Sequence, residues 1–207
     1  MPPATIRDFH TADTDDLYQV CLLTGDSGKD ATGLIKETRL LGDVFVGPYL
    51  ELAADLALVA DDGERAAGYA VAALDTAQFE RQCETEWWPR LRGGYPTPVP
   101  DAEPAGMDAE LLAIIQNPAL ARHPDLPGYP SHLHIDLMEH VRGAGVGNQM
   151  LAELFTRLRA AGSPGVHLGV DATNVGAQRF YKRLGFQELM QTGDELFMGL
   201  SWTDRES

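Results

Sequence analysis

The stretch Ser131–Gly147, SHLHIDLMEHVRGAGVG, decides how the rest of the chain is read. From His132 to Leu137 the residues alternate: Leu133, Ile135 and Leu137 share one face, His132, His134 and Asp136 the other, the period of two that marks a strand. The strand breaks into a turn carrying Gly143, Gly145 and Gly147, and a helix is predicted from Asn148. Glycines at alternate positions leave backbone amides bare, and the positive end of the helix dipole lies beside them, so the turn suits a phosphate or pyrophosphate. A tight strand–helix turn without a ligand is the plain alternative. A Walker loop is excluded, because Gly147 is followed by Asn148 and Gln149 where a lysine and a hydroxyl are needed. The dinucleotide pattern G-x-G-x-x-G fails as well, since its third glycine would fall at Asn148.

Arg142-x-x-Gly145-x-Gly147 after a strand resembles the coenzyme A signature of the GCN5-related N-acetyltransferases, R/Q-x-x-G-x-G/A. Asn174 and the block Phe180-Tyr181-Lys182-Arg183-Leu184-Gly185-Phe186 downstream look like that family's closing F-Y-x-x-x-G-F segment. The resemblance implies an α/β fold, a mixed central sheet with helices on both faces, and acetyl-CoA as cofactor. It implies that the backbone at Leu137 and Met138 meets the pantetheine arm. The amides of Val141, Arg142, Gly143, Ala144, Gly145, Val146 and Gly147 would hold the pyrophosphate. Asn174 would bond the amide arm while also capping a helix, and Tyr181 would bind the cofactor and protonate the leaving thiolate. Transfer would go directly to a primary amine, with no covalent enzyme intermediate.

The general base is open at this stage. Asp136 and Glu139 flank the cofactor edge and are its candidates. The His132, His134 and Asp136 stripe admits a water-relayed base, a buried structural network, or a His-x-His metal site for which the sequence supplies no further ligands; no metal is expected.

Composition narrows the rest. The 207 residues, 44% hydrophobic, suffice for one domain spanning 1–207. No run nears the roughly 18 apolar residues of a membrane span, and MPPATIRDFH has no secretory character, so a cytoplasmic location is expected. A formal net charge of -15 argues against nucleic acid and suits a cationic amine acceptor. Pairing with a second copy of the chain is left open. Cys21 and Cys83 lack ligand spacing and read as buried reduced thiols.

In chain order, strands are expected at Thr5–Phe9, Leu56–Ala60, Ala66–Leu74, Val166–Val170, Gln187–Met190 and Glu195–Leu200, and helices at Thr14–Leu23, Leu34–Leu41, Asn148 onward and Ala177–Leu184. Val44–Leu50 reads as an apolar loop near the acceptor side. Residues 75–130 read as a helical insertion before the cofactor strand, with Thr76–Leu91 and Asp108–Gln116 as its helices and a proline-rich stretch at 93–100 between them. Trp87, Trp88 and Tyr95 either line an acceptor pocket or pack this segment onto the sheet.

Val46–Leu50, Gly68–Ala70, Cys83–Trp87, Tyr129–Ser131 and Phe180–Gly185 also resemble the acetyltransferase-like domain at the C-terminus of animal O-GlcNAcase. That likeness implies cofactor binding and offers a non-catalytic acetyl-CoA-binding module as the alternative to an enzyme. Lysine, a polyamine and an aminosugar all remain as acceptors.

Overall fold

A computed structural model describes residues 4–96 and 106–202; residues 97–100 of the proline-rich stretch lie outside the described residues. A seven-stranded mixed sheet runs in the order β1-β2-β3-β4-β5-β7-β6. The strands are β1 (Thr5–Asp8), β2 (Ala57–Asp61), β3 (Ala66–Ala73), β4 (Ser131–Leu137), β5 (Gly165–Asp171), β6 (Gln187–Thr192) and β7 (Glu195–Ser201). Neighbouring strands pair antiparallel except β4 and β5, which are parallel and joined by a helical crossover. β3 is buried along its whole length, which its small apolar sequence AAGYAVAA permits between two helical layers.

One face of the sheet carries α7 (Val146–Ala160), whose Met150, Leu151, Leu154 and Leu158 are fully buried against Leu58, Ala70, Leu133 and Leu168. The helical spacing of those four residues produces that stripe. α8 (Val175–Leu184) lies on the same side, with Tyr181 buried in the same cluster. The other face is covered by α1 (Thr14–Thr24), α2 (Leu40–Phe45), α3 (Gly47–Leu52), α4 (Thr76–Gln82), α5 (Trp88–Gly94) and α6 (Met107–Gln116). Here Tyr69 and Val71 of β3 meet Leu17, Tyr49, Phe79, Trp87 and Ile115. Burying a side chain such as Phe79 or Ile115 contributes about 1.5–3 kcal/mol, so the elements of 75–130 are bound to the sheet by ordinary core energetics.

Two expectations are corrected. Residues 34–39 are not helical and only Leu40–Phe45 forms a helix; the amides of Lys36 and Glu37 donate to the Asp108 carboxylate at 2.9 Å, which ties this segment to the first turn of α6. Val44–Leu50 is not a loop. It spans the junction of α2 and α3, with Pro48 in the first turn of α3 and Val44, Val46, Tyr49 and Leu50 all buried, as suits helices enclosed by protein.

The expected helix Thr76–Leu91 is helical throughout, but Cys83–Trp87 widens into a π turn two residues before Pro89. A proline removes one amide from the ladder, and a wide turn ahead of it accommodates the loss. Trp87 Nε1 then donates to the Asp43 carbonyl at 2.9 Å, while Tyr18 and Tyr95 donate to the Asp43 carboxylate. Asp43 thereby ties α1 and α5 together. Among the described residues, no helix is long and apolar enough to cross a membrane.

Candidate active site

β3 keeps its register with β4 from His132 as far as Leu137, whereas β5 pairs with β4 only at Ser131 and His132. Beyond that point the two parallel strands diverge. Met138 N–H donates to the Ala67 carbonyl on the β3 side at 2.9 Å, so by the two-residue period the amides of Ile135 and Leu137 point the other way, into the gap. A cavity of about 740 Å3 occupies this gap, floored by Leu133, Ile135 and Leu137 and bordered by the glycine turn, β5 and α8.

The turn leaves donors free, but fewer than its sequence implies. The amides of Val141 and Arg142 are taken by the carbonyls of Met138 and Glu139 at 3.1 Å each. Among the described residues the amides of Gly143, Ala144 and Gly145 make no hydrogen bond, and those of Val146, Gly147 and Asn148 open α7, where a helix has no internal acceptor for them. Gly145 sits in the left-handed region at φ 83°, which lets the chain turn its amides toward the cavity before the helix begins. Gly143, Gly145, Gly147 and Asn148 all line that cavity.

Arg142 turns back on its own strand: Nε donates to the Leu137 carbonyl at 2.7 Å and a terminal nitrogen to the Gly28 carbonyl at 3.1 Å. Asn174 caps α8, its Oδ1 accepting from Ala177 N–H at 3.0 Å, and its amide nitrogen donates to the Ser27 carbonyl at 3.3 Å. Ser27 Oγ in turn donates to Asp171 at 2.6 Å. The loop after α1 therefore reaches both rims of the gap, and Arg142 and Asn174 hold that loop.

Tyr181 is buried in α8 and lines the large cavity. Its hydroxyl makes no hydrogen bond among the described residues. Burial first, and the nearby Asp136 carboxylate second, raise its pKa, so it is a neutral phenol at any physiological pH. Asp136 also lines the large cavity and accepts from the Tyr69 hydroxyl at 2.6 Å; burial raises its pKa against the lowering effect of that bond. Glu139 is not brought to the site. It lies exposed in a 3-10 turn, Glu139–Val141, and lines neither cavity, because the turn that follows β4 carries its side chain outward. Met138 is likewise absent from the lining, its amide being spent on β3. Val141 is buried and serves to anchor the turn. Cys21 borders the cavity, but burial pushes its thiol up to about 12, and Cys83 is pushed equally far, so neither is a nucleophile at neutral pH.

A second cavity of about 160 Å3 adjoins the first on the face covered by α2 to α6. Among the described residues, only Phe45 and His134 line both. The polar stripe of β4 is thus split. His132 is fully engaged: Thr76 Oγ donates to the Pro130 carbonyl and so accepts from His132 Nδ1–H at 2.8 Å, while the Tyr49 hydroxyl donates to Nε2 at 2.6 Å. His167 Nδ1–H donates to the Tyr129 carbonyl at 2.8 Å, and its Nε2 receives the His123 Nδ1–H at 3.1 Å. Ring nitrogens of His123, His132 and His167 come within 4.8 Å of one another, yet the hydrogen bonds just described already occupy those of His132 and His167. A structural network accounts for them. His134 differs: its ring packs edge-on to Tyr49 and forms no hydrogen bond among the described residues. Burial, then the neighbouring His167, push its pKa down to about 4, so its ring is neutral with a free lone pair at the junction of the cavities. Alternation gave His134 its place in the stripe, but nothing in the sequence separates it from His132; only the partners do.

The chain matches the model of the acetyltransferase (GNAT) family over residues 119–186. It is 28% identical to the protein O-GlcNAcase of Rattus norvegicus over 187 residues, which cover 89% of this chain and 20% of that protein; it thus spans about a fifth of the length of the curated relatives it matches. The crystal structure of SsHAT superposes with a TM-score of 0.90 at 31% identity, covering 97% of this chain and 98% of that one. A GNAT family acetyltransferase from Brucella melitensis in complex with acetyl-CoA shares the fold at a TM-score of 0.50 and 17% identity, over 96% of this chain and 88% of the other.

Proposed function

The chain belongs to the GNAT acetyltransferase family, and on that premise we propose that it uses acetyl-CoA to acetylate a primary amine by direct transfer. The observation that carries this reading is the coincidence, in one gap between β4 and β5, of free amide donors at Gly143–Asn148 with an unbonded phenol and an unbonded neutral imidazole. The donors fit a pyrophosphate, and the large cavity runs on along the open edge of β4. Bound there, acetyl-CoA supplies an activated acetyl thioester. The Leu137 amide faces the gap and can stabilise charge that develops on a carbonyl oxygen. Tyr181 holds a proton for the departing sulfur, and its raised pKa keeps that proton in place until a thiolate needs it. The acceptor ammonium gives one proton to water before nitrogen can attack, and His134, too weak a base near 4 to strip a free ammonium, takes the second proton that nitrogen sheds as it bonds to the thioester carbon. Asp136, already bonded to Tyr69, acts on the electrostatics of Tyr181 and not as the base. In this reading residues 1–207 act as one domain, and 75–130 closes the acceptor side.

Titration calorimetry with acetyl-CoA, combined with thiol release over a panel of amines, tests the proposal. Saturable binding with release of one thiol per acetylated amine is expected. Binding without turnover on any amine would identify the non-catalytic module that the O-GlcNAcase likeness also fits. Gly145→Val places a branched side chain at φ 83° and should weaken acetyl-CoA at least tenfold without lowering the melting temperature of the β-sheet core by more than a few degrees. Equal affinity in that variant would refute the amide cradle. Tyr181→Phe should lower kcat by about 10–100-fold and leave acetyl-CoA affinity nearly intact, as loss of a proton donor demands; a parallel rise in KM would assign Tyr181 to binding alone.

A further inference from the structure

The second cavity has a chemistry that narrows the acceptor, an inference that rests on the reading above. Its walls are aromatic: Phe45, Tyr49, Phe79, Trp88 and Phe197 contribute rings, and Tyr49 stacks on Phe79 with centroids 4.5 Å apart. At about 160 Å3 it is close to the roughly 150 Å3 cavity that holds one benzene in an engineered protein core, so it admits a single ring or a short alkyl chain.

Among the described residues three carboxylates border this cavity, and they are not equivalent. Glu80 accepts from the His123 amide at 2.9 Å and pairs with Arg122 at 3.3 Å; Glu84 pairs with Arg92 at 3.5 Å. The Glu195 carboxylate has no hydrogen bond or ion pair among the described residues. Its side chain is laid flat over β5, where only a glycine leaves room: a Cβ on Gly169 would sit 1.8 Å from Glu195 Oε1. Although Glu195 is exposed as a residue, partial burial of its carboxyl group raises its pKa, as for an acid without a counter-charge.

We propose that the acceptor is a small primary monoamine whose body is one ring or a short alkyl chain, its ammonium received by Glu195 beside His134. A polyamine would bring further ammonium groups to carboxylates that Arg122 and Arg92 already satisfy. An aminosugar would place hydroxyls against rings that offer them no partners. A lysine of a folded protein would have to pass its backbone over the same mouth.

Phenethylamine, spermidine, glucosamine and a lysine-containing peptide, each offered to the full chain with acetyl-CoA, form the test, with amine binding followed by calorimetry in the absence and presence of coenzyme A. Phenethylamine should bind and be acetylated with kcat/KM at least tenfold above the other three. Glu195→Gln should weaken phenethylamine binding about 10–100-fold while acetyl-CoA affinity stays within twofold. Gly169→Ala keeps the carboxylate but displaces it, and should weaken the amine in the same direction; it also covers the case in which Glu195→Gln fails to fold. The inference is overturned if spermidine, glucosamine or the peptide is preferred, or if both variants bind phenethylamine as the wild type does. Glu195-dependent binding of phenethylamine without turnover would uphold the acceptor site and refute the transferase reading alone.

Discussion

Replacing His134 with glutamine is expected to lower kcat by about 10²–10⁴-fold while acetyl-CoA still binds, the loss that removal of a general base produces. His134 and Phe45 are the two residues common to both cavities, and of these only His134 can carry a proton. His132, two residues earlier on the same face, has both ring nitrogens bonded, so the equivalent His132→Gln change should act on stability more than on chemistry. The pH dependence separates the two roles. Burial and His167 hold His134 near 4, so the acid limb of wild-type kcat should fall well below the ordinary histidine range near 6.5, and His134→Gln should abolish that limb. The readout is kcat, because the titration of the free amine enters kcat/KM. A loss under tenfold, or an unchanged limb, would exclude His134 as the base.

The second large effect is acid lability. His123, His132, His134 and His167 gather where β4, β5 and the segment before β4 meet, with the His123 and His132 rings stacked at 4.1 Å. In each, burial is the leading cause of a lowered pKa, reinforced by neighbouring histidines for all but His167; His123 is pushed down to about 3 and His134 to about 4. An unfolded chain would protonate all four below about 6.5, whereas the folded chain holds each neutral to lower pH, His123 to about 3 and His134 to about 4. Stability is therefore complete above 6.5 and falls as pH drops below it, by about 1.4 kcal/mol per pH unit per histidine. Glu80, Asp136 and Glu195 have pKa values raised above the ordinary carboxylate range, chiefly by burial, and oppose part of this slope. A net loss of several kcal/mol between pH 7 and pH 5 should lower the melting temperature by roughly 10 °C or more for a chain of this size. His123→Gln should flatten the slope. A melting temperature constant from pH 7 to pH 5 would show that the cluster does not stay neutral on folding.

Much of the fold was legible because its elements are written in local periodicity. Alternation marked β4, the spacing of Leu151, Leu154 and Leu158 marked α7, and Asn174 announced the cap of α8, whose Oδ1 does accept from Ala177 N–H. The elements that local pattern does not give depend on distant partners: residues 34–39 hang their Lys36 and Glu37 amides on Asp108 of α6, and Val44–Leu50 is helical in a stretch buried by its neighbours. The same division runs through the candidate site. The glycine turn could be read from spacing, but which amides stay free could not, since Val141 and Arg142 lose theirs to carbonyls of a turn that the sequence does not announce.

The sequence by itself determined the order of strands and helices around β4, the phosphate-seeking turn after it and the family to which both belong, because these follow from periods of two and 3.6 and from residues without a Cβ. Only the tertiary structure decided which member of the β4 stripe is free to act, that Glu139 points away, and that Glu195, far along the chain, lies over Gly169 without a counter-charge. Hydrogen-bond saturation and burial belong to neighbours brought together across the sheet, and no local pattern encodes them.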